Sequence, residues 1–165
     1  MSPEAIELVR ASFAKIKPVA SQTGARFYQN LFEIAPELRP LFKADIQDQG
    51  QKLMEMFETA VGMLYQPQAL KEAIHQLGLR HEAYGILPEH FRPVGLALIR
   101  TLEQGLGREL TPPVKHAWIA LYAELSTEME RSLREGMEVR RVASVREGLA
   151  ARRKALPWWR KLFSR

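Results

Sequence analysis

Apolar residues along this chain recur at intervals of three and four, and nowhere do they alternate over the length of a strand. Residues 3–16 open behind Ser2-Pro3, a capping serine followed by a proline in the first turn. A second segment runs from about Val19 to Ile34, with Phe27, Leu31 and Ile34 on one face. Pro36 and Pro40 bracket a short turn that ends at Leu41-Phe42. Ile46, Gly50, Leu53, Phe57, Val61 and Leu64 mark a helix over 46–65, broken at Tyr65-Gln66-Pro67. Residues 68–82 form the next, punctuated by Gly85 and Pro88. Val94, Leu98, Ile99 and Leu102 line a helix from 88 to about 104. Thr111-Pro112 caps the last, with Val114, Trp118, Leu121 and Leu125 inward and an end expected near Gly136. Seven short-linked helical segments, one of them a mere turn, predict an all-α domain.

The totals narrow the chemistry. At 165 residues the chain is the size of one domain and long enough to bury a core unaided. It has no cysteine, which removes disulfides, thiolate metal sites, iron–sulfur clusters and cysteine nucleophiles, and fits a reducing cytoplasm. The first residues carry two glutamates and lack the pattern of a secretion signal. The apolar runs are too short to span a bilayer. The net charge of +5 is unevenly spread. Residues 139–165 hold nine basic and one acidic side chain, a balance of +8, leaving −3 on residues 1–138. We therefore divide the chain into a domain over 1–138 and a basic extension over 139–165.

Among four histidines, one stands on an inward face. Leu70, Ile74, Leu77 and His81 fall at spacings of four, three and four, so they share one side of a helix. His75 points elsewhere, His90 opens a helix at an expected exposed position, and His116 lies off its helix's apolar stripe. His81 has two readings at this point: a core histidine bonded to a carbonyl, or a metal ligand. Zinc chemistry lacks an HExxH motif, a serine hydrolase lacks GxSxG, and Gly105-Leu106-Gly107 has no strand before it. Haem iron, by contrast, needs only one protein ligand on its proximal side.

A haem requires an apolar slot and an opposing wall. Phe42 suits the wall of a flat macrocycle, and suits an ordinary core equally well. Gln49 and Leu53 are four residues apart and look the same way. Gly50 beside them admits a close neighbour, for instance another helix. A glutamine on an apolar face is costly without a partner, and so is the inward phenol of Tyr28 between Phe27 and Leu31. The two are placed to answer each other across a pocket.

The ordered segments GARFYQNLFEIAPELRPLF, QDQGQKLM and LGLRHEAYGILPEHFRPVG resemble the single-domain bacterial globins related to the haem domains of flavohaemoglobins. The resemblance covers about residues 5–135 and implies a globin fold, a three-over-three helical sandwich. It implies haem b, with His81 as proximal iron ligand and Phe42 stacked on the macrocycle. Tyr28 and Gln49 become the distal polar pair and Leu53 the apolar residue above the iron. Lys52 resembles a position that reaches a haem propionate, with a solvated lysine as the alternative. Leu77, Tyr84 and Phe91 are expected on the proximal side. The chain departs from flavohaemoglobins in two ways. No flavin or nicotinamide domain follows the globin, so a reductase is expected as a separate partner. Phe91 and Leu133 stand where that family pairs a tyrosine with a glutamate behind the proximal histidine, which predicts a less anionic imidazole.

What the resemblance implies about function is tight binding of oxygen, with nitric oxide and carbon monoxide as the other diatomic ligands, and nitric oxide dioxygenation. The alternatives are an oxygen or redox sensor that signals through its tail, and a globin-fold module without haem, against which His81 and Phe42 argue. Residues 139–165 carry Val142, Val145 and Leu149 at helical spacing, then PWWRKLF. Tryptophan beside cations favours an anionic bilayer interface, so peripheral attachment at the inner face of the membrane is expected of a cytoplasmic protein. Packing of the tail on the body or on a second copy is the alternative, and nucleic acid has no recognisable module here. Monomer and homodimer are both open.

Overall fold

The computed structural model describes residues 1–154, with the side chains of 82, 83 and 148–154 excepted. Six α-helices carry it: α1 Pro3–Ile16, α2 Ala20–Ile34, α3 Ile46–Gly62, α4 Pro67–Ala83, α5 Phe91–Leu106 and α6 Pro112–Lys154. Short 3₁₀ turns at Lys17–Val19, Pro36–Leu41, Pro88–His90 and Gly107–Glu109 link several of them. The Ser2 hydroxyl accepts from the Ala5 amide and the Asp45 carboxylate from the Gln47 amide, capping α1 and α3. No helix among the described residues is long and apolar enough to cross a membrane.

Two helix pairs frame the interior. In the first, α2 crosses α3 at the backbone. A Cβ on Gly24 would stand 2.3 Å from the Gly50 carbonyl oxygen, and one on Gly50 would stand 2.8 Å from the Gly24 carbonyl carbon. In the second, α4 lies along α6, where a Cβ on Gly78 would stand 2.7 Å from the Met129 carbonyl oxygen. Around them the core is apolar, with Val9, Leu31, Leu102, Trp118, Leu121 and Leu133 fully enclosed.

Buried polar groups tie the elements together. The Trp118 indole donates to the Ser12 hydroxyl at 2.9 Å, and Ser12 donates back to the Leu8 and Val9 carbonyls. The Asn30 amide donates to Thr101 and Gln104, both at 2.9 Å, joining α2 to α5. These bonds hold register between helices, because sliding them would leave the buried Trp118 indole and Asn30 amide without their partners.

The last helix differs from the sequence expectation. It continues through Gly136 to Lys154 rather than ending near the glycine. A glycine inside a helix costs only about 1 kcal/mol relative to alanine. Ion pairs one turn apart offset that: Arg131 with Glu128 and Glu135, and Arg141 with Glu138 at 2.8 Å. Over 139–147 the helix is exposed, Val139 at 71% and Val145 at 54%. The PWWRKLF segment lies outside the described residues.

The α2–α3 crossing yields a test. Gly24→Ala forces the backbones apart and should lower stability by about 1–3 kcal/mol in urea unfolding. Gly62→Ala, with open space around its Cβ, should change stability by less than about 1 kcal/mol.

Candidate functional site

The crossing at Gly24 and Gly50 sets two side chains over one space. Tyr28 is one turn beyond Gly24 on α2, and Leu53 is three residues beyond Gly50 on α3. Both line an apolar slot whose far walls come from α4, α5 and α6. Phe42, Phe57 and Ala60 border it on the α3 side, His81 and Phe91 on the other.

His81 sits in the last turn of α4, half-buried. Its Nδ1 lies 2.8 Å from the Leu77 carbonyl oxygen. A carbonyl only accepts, so Nδ1 carries the hydrogen and the Nε2 lone pair is left for a ligand. Burial pushes the imidazole below its ordinary pKa, the Leu77 bond opposes that shift, and Arg80 adds to it. A neutral imidazole with its lone pair free is the form that binds a metal. Gly85 ends this stretch at φ +75°, a conformation that favours glycine, so the chain turns directly behind the histidine.

Tyr28 is buried, 5% exposed, and its phenol is pushed up to about 12 by that burial. Its hydroxyl has no hydrogen-bond partner among the described residues, yet no polar side-chain atom is left sealed without one. The hydroxyl therefore opens onto the slot. Its ring meets Phe42 edge-on at 5.1 Å between centroids. Phe42 is held further by Phe32 at 5.6 Å and by Arg39, which donates to the Phe42 carbonyl.

The expected site residues thus divide. Tyr28, Phe42, Leu53, His81 and Phe91 come together around the slot. Leu77 supplies the carbonyl that orients His81 and packs half-buried beside Ile74, Phe91, Met129 and Leu133. Gln49 is half-buried in the first turn of α3, outside the slot lining, and makes no bond to Tyr28. Lys52 is exposed. Tyr84 is 67% exposed, its ring 6.2 Å from that of His81. One histidine departs from its expected position and another keeps to it. His90 is half-buried and lines the slot, because its Nδ1 folds back to accept from the Leu87 amide at 3.1 Å. His75 is half-buried against Ser132, 2.7 Å away.

Sequence reasoning missed Tyr122. It lines the slot and donates to the Phe91 carbonyl at 2.5 Å, pinning the start of α5 to α6. Burial first, and then Glu130, push its phenol up. The available signal was its spacing of four from Trp118, which puts it at the edge of the inward stripe.

These residues fit a haem. One correctly oriented imidazole faces an apolar slot, a flat aromatic stands on its border, and an unpartnered phenol opens into it from the opposite helix. Among the described residues no group of three or more His, Asp or Glu side chains is placed to hold a bare metal ion.

The Tyr28 phenol ionises near 10 in an unfolded chain and near 12 in the fold. The folded state thus holds the proton more tightly, and stability is intact below pH 10 and falls as pH rises from 10 to 12. Urea midpoints of Tyr28→Phe should fall less over that range than those of the wild type. Equal slopes would contradict the assigned burial.

Comparison with known proteins agrees with this geometry. The family profile described as Globin matches residues 25–129. The chain is 27% identical over 125 residues to a flavohaemoprotein of Vibrio cholerae, covering 74% of this chain and 32% of that protein. It is 27% identical over 139 residues to a neuroglobin of Tetraodon nigroviridis, covering 76% of this chain and 87% of the relative. A neuroglobin of Dissostichus mawsoni is 28% identical over 131 residues, with 71% and 82% covered. The chain thus spans about a third of the bacterial relative and most of the fish proteins.

Proposed function

From the premise that this chain belongs to the globin family and binds diatomic gases through haem, we propose that it holds oxygen tightly and uses it to oxidise nitric oxide to nitrate. The observation that carries the reading is the pairing of His81, its Nε2 free, with the unpartnered Tyr28 hydroxyl on the opposite wall. Haem b, when bound, would supply an iron able to take up a diatomic gas.

The residues then have distinct tasks. His81 would hold the iron through Nε2, and the Leu77 carbonyl fixes the ring's tautomer and angle. Phe42 and Phe91 pack the macrocycle. Leu53 keeps the gas side apolar. The Tyr28 hydroxyl, open to the slot, would donate a hydrogen bond to a ligand that gains negative charge there. Gln49 reaches the same ligand only by turning inward from its half-buried position. Nitric oxide, oxygen and one electron give nitrate, so sustained turnover requires a reductase. His81 leans on a backbone carbonyl, and Leu133, packed with Phe91 and Leu77, is fully enclosed and cannot accept. This arrangement disfavours peroxidase-like chemistry, which benefits from an anionic proximal ligand.

A hydrogen bond to a charged acceptor contributes about 1.5–3 kcal/mol, roughly 10–100-fold in a rate. Tyr28→Phe should speed oxygen dissociation by that factor, and carbon monoxide dissociation far less. His81→Ala should lose or alter the Soret band. Nitrate yield over many turnovers with an added reductase measures the dioxygenase. A normal oxygen off-rate in Tyr28→Phe would remove that residue's role.

A second reading, an oxygen or redox sensor, is favoured by α6. One unbroken helix runs from the slot residues Tyr122, Leu125, Ser126 and Met129 to the exposed basic stretch beyond 138. We propose an anionic membrane surface as the partner of 139–165. The chain should float with phosphatidylglycerol vesicles and a chain ending at residue 138 should not. Equal flotation of both would discard the anchor.

A further inference from the structure

The C-terminal part of α6 has left the body of the molecule. Every residue from Met137 to Glu147 is exposed, and three of them are valines: Val139 at 71%, Val142 at 39% and Val145 at 54%. At a spacing of three they share one face of the helix. Ala143 lies beside them, with Glu138 and Arg146 in the same shallow groove. A β-branched side chain restricts its own rotamers in a helix and is a poor choice where water is its only neighbour. A stripe of three gains stability only by being covered.

Charge on α6 says what the partner is. Residues 124–138 hold five glutamates and two arginines, a balance of −3. Residues 139–154 hold six basic side chains and one glutamate, a balance of +5. The valines begin where the sign changes. Two such rods laid parallel would set like charge against like. Laid antiparallel, the acidic half of each faces the basic half of the other. With Val142 on the two-fold axis, Val139 faces Val145 of the second copy and Glu138 faces its Arg146. One patch thus complements itself, as a two-fold contact requires.

We propose that two copies of this chain pair through the exposed face of α6, antiparallel, about Val142. The contact is small, so the dimer should come apart at roughly micromolar concentration. It leaves residues 155–165 to the membrane surface proposed above. It also joins the two slots through a pair of continuous helices, since each α6 runs from Tyr122 and Met129 to the contact. The pairing stands on the helix alone and is independent of the haem reading.

The test is sedimentation equilibrium of the full chain from low micromolar to submillimolar concentration. The wild type should pass from one to two chains, and added salt should weaken the pair. Val142→Glu sets two carboxylates against each other on the axis. It should weaken dimerisation by about tenfold or more, with helix content by circular dichroism unchanged. Arg146→Glu should weaken it severalfold, and adding Glu138→Arg should restore it. In a parallel pair neither change brings opposite charges together. Trp158→Ala/Trp159→Ala should leave the dimer intact. A monomer over the whole range would overturn the proposal. So would a dimer indifferent to Val142→Glu, or one lost only with the tryptophans, which would make the tail the contact.

Discussion

The contact on which the site depends is the backbone crossing of α2 and α3 at Gly24 and Gly50. Ordinary side chains hold helix axes 8–10 Å apart. Here a Cβ on either residue would collide with the partner's main chain, so the helices touch directly. That closeness sets the Tyr28 phenol and Leu53 over the same slot. It also brings in Phe42, which packs edge-on against Tyr28. Spread the crossing by one methyl group and the wall opposite His81 recedes.

The other wall follows the same principle with different partners. Gly78 lets α4 seat on α6 one turn before His81. The histidine is thus anchored twice, by the packing of its helix and by its own bond to the Leu77 carbonyl. The second anchor has a chemical consequence. It settles which nitrogen faces the slot, and it gives the ring a neutral partner where a carboxylate would draw its proton more strongly. Tyr122 completes the frame by tying α6 to the first residue of α5. Every long helix but α1 therefore contributes to the slot, and α1 is bound to α6 through Ser12 and Trp118.

This architecture makes α6 unusual. Its middle lines the haem slot, while its C-terminal half leaves the body carrying exposed valines and basic residues. A change at the slot and a partner at the extension act on one continuous rod. The Arg141–Glu138 ion pair supports the helix where tertiary packing has ended.

Periodicity alone carried the all-α class, the positions of the helices and the inward face of His81, because a 3.6-residue repeat is a local property. Gly50 was legible as a point of close approach, and Tyr28 and Phe42 as candidates, because polar or flat aromatic residues stand out on an apolar stripe. The order of several motifs, each weak alone, was enough to point to the globin family. Other features required the fold. Whether Gln49 reaches the pocket depends on the angle at which α3 enters, and no spacing encodes that angle. His90 and Tyr122 line the slot through one hydrogen bond each, to backbone three residues away in one case and on another helix in the other. The helix beyond Gly136 is held by ion pairs whose small individual energies do not stand out in a sequence pattern. The slot exists only because α2, α3, α4, α5 and α6 meet around it. A cavity is the space between elements, and no single stretch of sequence contains it.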